Sequence, residues 1–62
     1  MSTLRTIERF LKRTGMAPTA FGRQAARDPR LVFDLRSGRE LTDRMKRRLE
    51  HFMNIFDGKS AA

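Results

Sequence analysis

The chain has no cysteine, tryptophan or tyrosine, a single histidine and two prolines in its 62 residues. Without cysteine, neither a disulfide nor a thiolate zinc site can help to hold so short a chain together. His51 has no carboxylate at metal-ligand spacing on its helix face, so no metal is expected and it reads as a surface residue. One histidine without cysteine or tyrosine cannot build a catalytic constellation, and Gly22 is isolated and makes no phosphate-cradling loop. No enzyme activity, cofactor or small-molecule ligand is therefore expected. Apolar residues come in short clusters, far below the roughly 18 in a row of a membrane span. The opening Met1-Ser2-Thr3-Leu4-Arg5 lacks the apolar run of a secretory signal. A soluble, cytoplasmic protein with no membrane partner is the expectation.

Positive charge is abundant. Fourteen Lys and Arg stand against seven Asp and Glu, a formal net charge of +7, with a pI near 11.6. Twelve of the basic residues lie between Arg9 and Arg48, so the charge belongs to the body of the chain. Such a surface attracts polyanions, nucleic acid first among them, in a salt-dependent way.

The periodicity predicts four helices and no strand. In the first, Leu4, Ile7, Phe10 and Leu11 recur at helical spacing, Ser2 or Thr3 can cap the start, and Gly15 ends it. The second opens at Pro18, whose missing N–H has no helical partner in any case, and carries Phe21, Gly22 and Ala25 on one face. Gly22 permits close approach of another helix. Asp28-Pro29 reads as the sharp start of a third helix with Leu31, Val32 and Leu35 buried, closed by Ser37-Gly38. Thr42 is the natural cap of the longest segment, in which Met45, Leu49, Phe52, Met53 and Phe56 share a face and Asp57-Gly58 closes the helix. Residues 1–58 are thus one all-α domain, and 59–62 are expected to be a flexible tail.

The run from Met16 to Gly38 resembles the helix-turn-helix of the lambda repressor and Cro class of DNA-binding domains, the XRE-type regulators. Phe21, Gly22, Val32, Leu35 and the pair Ser37-Gly38 align with that family's core, close-approach and helix-ending positions, and Gly38 to Thr42 looks like its next loop. The resemblance implies a compact four- to five-helix lambda repressor-like bundle. Three positions depart. Ala26 stands where the family usually places a left-handed glycine, Arg27 where it buries an aliphatic residue, and Pro18 where many relatives carry a phosphate-bonding glutamine. The second helix is then expected to run a little longer, with Asp28-Pro29 making the bend.

The resemblance implies sequence-specific binding of double-stranded DNA by a transcriptional regulator, placed cytoplasmically on the nucleoid. Carried over residue by residue, it puts Pro29, Arg30, Phe33 and Asp34 against base edges. Arg30 can bond guanine O6 and N7 together, and Phe33, out of phase with the core stripe, can cover a thymine methyl. Asp34, one turn after Arg30, either accepts from cytosine or orients that arginine. Asp28 reads as a cap. Thr19, Arg23, Arg27, Arg36, Ser37, Arg39 and Arg44 are the expected phosphate contacts. Lys46-Arg47-Arg48 span nearly a full turn, so they cannot all face one duplex. Phe52, Ile55 and Phe56 either close the core or form a two-fold homodimer contact, which palindromic sites would exploit. Two other classes share these features: a nonspecific architectural DNA-binding protein, and a protein-interaction module docking through Phe33, Ile55 and Phe56. A basic membrane-surface helix is a remoter alternative, since the apolar faces are needed for the core.

Overall fold

A computed structural model describes residues 2–61, with side chains to Asp57; Met1 and Ala62 lie outside the described residues. Four helices follow in order: α1 (Thr3–Thr14), α2 (Pro18–Ala26), α3 (Leu31–Arg36) and α4 (Asp43–Ala61). There is no strand among the described residues. The radius of gyration is 10.9 Å, against about 10.6 Å for a close-packed chain of this length.

Local chemistry sets most of the boundaries. The Arg5 N–H donates to Ser2 Oγ at 3.1 Å, satisfying one of the orphan donors of α1. The Met45 N–H donates to Thr42 Oγ1 at 3.1 Å in the same way at the start of α4. Pro18 opens α2 behind Ala17, whose side chain makes no cap.

The corner between α2 and α3 takes its left-handed residue one position after Ala26. Helix α2 runs through Ala26, and the left-handed residue is Arg27 at φ 55° and ψ 32°. The Arg27 N–H donates to the Arg23 carbonyl and the Asp28 N–H to the Gly22 carbonyl, both at 3.0 Å. Asp28 then accepts the Arg30 N–H on Oδ1 at 3.1 Å, a side-chain turn that carries the chain through Pro29 and Arg30. Helix α3 accordingly starts at Leu31, two residues beyond Pro29. Its far end is a Schellman motif. Gly38, at φ 104°, donates to the Leu35 carbonyl at 3.1 Å, and Arg39 donates to the Asp34 carbonyl at 2.9 Å.

Helix α4 does not stop at Asp57-Gly58 but continues to Ala61. Of the residues expected as a tail, 59–61 have helical backbone, and Ala62 lies outside the described residues. A single glycine near a helix end costs only about 1 kcal/mol relative to alanine, too little to force termination.

The core joins all four helices. Ile7 and Phe10 of α1, Phe21 of α2, Leu31 and Val32 of α3 and Leu49 of α4 are almost wholly buried. Each contributes about 1.5–3 kcal/mol relative to exposure. Phe10 lies at the centre of an aromatic cluster, with ring centroids 5.6 Å from Phe21, 6.3 Å from Phe52 and 5.2 Å from Phe56. Arg48 of α4 adds a polar clamp, its Nε donating to the Ala25 carbonyl at 3.1 Å in the last turn of α2.

Candidate nucleic-acid interface

The corner positions α3 against α2 at very short range. A β-carbon on Gly22 would stand 2.2 Å from the Asp28 carbonyl oxygen and 3.3 Å from the Leu31 β-carbon, so only glycine admits this approach. With Leu31, Val32 and Leu35 turned into the core, the opposite side of α3 and its leading turn is left to solvent. Pro29, Arg30, Phe33, Arg36 and Ser37 are all exposed there.

Phe33 is the phenylalanine that the aromatic cluster leaves out, and 46 % of it is open to water. The Arg36 guanidinium lies 5.7 Å from its ring centroid. That guanidinium is at the same time engaged in a bidentate pair, donating from Nε and Nη2 to Glu8 of α1 at 2.8 Å each. Arg36 therefore braces α3 against α1 rather than standing free. The pair holds the Glu8 carboxyl below the usual carboxylate range, chiefly through these hydrogen bonds, against a smaller opposing effect of burial.

Asp34 does not pair with Arg30. Its partner is Arg39, whose Nη1 donates to Asp34 Oδ2 at 3.3 Å and to Asp28 Oδ2 at 2.7 Å. The Schellman turn at Gly38 is the reason, since it reverses the chain and returns Arg39 alongside the helix it has just left. The hydrogen bond from Arg39 is the main cause that lowers the Asp28 pKa from its ordinary value, opposed by desolvation. Asp28 is thus a cap and an ion-pair partner together.

The remaining expected contacts divide. Arg23, Arg27, Arg30 and Arg44 are exposed and form no ion pair among the described residues, and Thr19 is exposed in the first turn of α2. Of the three residues expected at a dimer contact, Phe52 and Phe56 are half-buried with their rings in the aromatic cluster. Ile55, by contrast, is 47 % exposed. His51 is exposed on α4, and no group of three or more His, Cys, Asp and Glu among the described residues could hold a metal ion. No described helix is long and apolar enough to cross a membrane.

Four interactions were out of reach of the sequence pattern: Arg36 with Glu8, Arg39 with Asp28, Arg13 with Asp57 at 2.6 Å, and Arg48 with the Ala25 carbonyl. Their partners lie 28, 11, 44 and 23 residues apart, well beyond the three- and four-residue spacings that helical periodicity reports. Any of fourteen cations could meet any of seven acids, and no local signal selects among them. No protein-family model, characterised protein or solved structure matches the chain.

Proposed function

We propose that this protein binds double-stranded DNA sequence-specifically as a helix-turn-helix of the lambda repressor and Cro type, acting as a transcriptional regulator. In this reading α3 enters the major groove with α2 lying behind it. The observation that carries the proposal is the open side of α3. Arg30 and Phe33 project from a face that no described element covers, on a chain of net charge +7. Six residues of helix span about 9 Å, short enough to lie within a groove about 12 Å wide. Arg30 reads guanine, Phe33 covers a thymine methyl, and Arg23, Arg27 and Arg44 hold phosphates on either side. A homodimer is part of the reading, with Ile55 at its contact and half-sites about one helical turn, roughly 34 Å, apart.

The experiment is selection of bound duplexes from a random pool, repeated with Arg30→Ala. Wild type should enrich a short motif, in two related copies if the protein pairs. The variant should lose discrimination at one position by about 1–3 kcal/mol. Enrichment of no motif, with affinity falling steeply in salt for every duplex alike, would replace this reading with a nonspecific DNA coat. The exposure of both Phe33 and Ile55 also favours a second reading, docking onto another protein. Under that reading Arg30→Ala would leave partner binding intact and duplex DNA would not compete.

A further inference from the structure

Two of the residues nearest the open face of α3 carry charges that, left alone, would work against DNA and against each other. Asp28 precedes the helix and Asp34 lies in it, and both carboxylates are partly exposed, at 31 % and 38 %. A duplex presents one negative charge per about 1.7 Å of axis, so two uncompensated carboxylates beside a reading helix would repel it. Arg39 touches both with the same nitrogen, at 2.7 Å and 3.3 Å. Its own N–H is bound to the Asp34 carbonyl at 2.9 Å, so backbone and side chain fix its place together. Asp28 in turn accepts the Arg30 N–H at 3.1 Å. A continuous line of contacts therefore runs from the end of α3 back to the turn that carries Arg30.

Folding stability accounts for only a small part of this arrangement. Exposed ion pairs contribute little to folding because water and salt screen them and two side chains must be ordered. A guanidinium shared between two acids is also poorly placed to hold a phosphate. Resting on the DNA-binding reading above, we propose that Arg39 is a positioning residue: it neutralises Asp28 and Asp34 beside the reading face and anchors the turn bearing Arg30, and does not itself grip the DNA backbone.

The test is a thermodynamic cycle on the intact chain, using the duplex selected by wild type. Dissociation constants are measured for wild type, Arg39→Ala, the pair Asp28→Asn with Asp34→Asn, and all three together, with circular dichroism melts showing each folded. Arg39→Gln provides a second neutral replacement should the alanine variant unfold. The single arginine variant should bind about tenfold more weakly, the carboxylates having been exposed to the phosphates. With both aspartates amidated, removing Arg39 should change affinity by less than about twofold and leave the slope of log K against log salt unchanged. If instead the triple variant binds about tenfold less tightly than the doubly amidated one, with a slope smaller by about 0.9, Arg39 grips a phosphate and the proposal falls. Wild type that binds no duplex would overturn the DNA reading and this inference together, whereas the previous result would overturn the inference alone.

Discussion

Gly22 and Arg27 show how single residues set the corner, and both allow direct tests. Glycine to alanine inside a helix ordinarily gains about 1 kcal/mol. At Gly22 the added carbon would meet the Asp28 carbonyl oxygen at 2.2 Å, a backbone atom that cannot swing aside. Gly22→Ala should therefore destabilise by about 3 kcal/mol, the upper part of the range for overpacked sites, read as a lower urea midpoint. A midpoint unchanged or raised would mean that the corner yields. Arg27 presents the opposite case, a side chain in the left-handed region at φ 55° where glycine carries no steric penalty. Arg27→Gly should stabilise by up to about 1 kcal/mol, less what the freer unfolded chain takes back, and raise the melting temperature by a few degrees. The close approach at Gly22 was legible in the sequence, because a glycine amid helix formers has few other reasons to be there. A second helix running a little longer was also expected, and α2 does run through Ala26, but the left-handed residue is Arg27, ahead of the bend expected at Asp28-Pro29. Which of two adjacent non-glycine residues adopts the left-handed conformation depends on where the helices must meet, which neither side chain announces.

At the scale of elements, α3 is too short to persist alone, since an isolated helix in water needs about 12 residues or more. Its core face supplies most of its anchoring, and Arg36 on Glu8 adds a brace to α1. Helix α4 is tied to the end of α2 by Arg48, which satisfies a carbonyl in the final turn where no helical donor follows. Arg48→Met keeps an apolar stem but no donor, and should cost about 1 kcal/mol in equilibrium unfolding. No loss would show that water serves the Ala25 carbonyl equally well. The existence of all four helices was readable from periodicity, caps and prolines, and the caps at Ser2 and Thr42 fall where those residue types predict. Two boundaries moved. Helix α3 starts later because Asp28-Pro29-Arg30 form a side-chain-closed turn, and α4 passes through Gly58, whose cost of about 1 kcal/mol is too small to end it.

For the molecule as a whole, charge is the dominant property, and the ion pairs distribute it. Glu8 and Asp28 are both held below the usual carboxylate range by an arginine hydrogen bond. A lowered carboxylate favours the fold only while ionised. Its contribution is complete above the unfolded-chain value, near pH 4, and disappears as pH falls through the lower folded value. The melting temperature should thus vary little from pH 7 to about pH 5 through these groups and fall below about pH 4. In the double variant Glu8→Gln with Asp28→Asn the acid fall should be shallower; an equal fall in calorimetry would remove these pairs from the explanation. Composition and pattern alone determined that the chain is all-α, basic, and organised around Ile7, Phe10, Phe21, Leu31, Val32 and Leu49, because burial and helical spacing are local consequences of residue order. Only the tertiary structure decided which arginines are free. Arg30 has no ion-pair partner among the described residues, while Arg36 and Arg39 are held by carboxylates brought from α1 and from across α3. Ion pairing depends on distance in space, and that distance exists only once the core has closed.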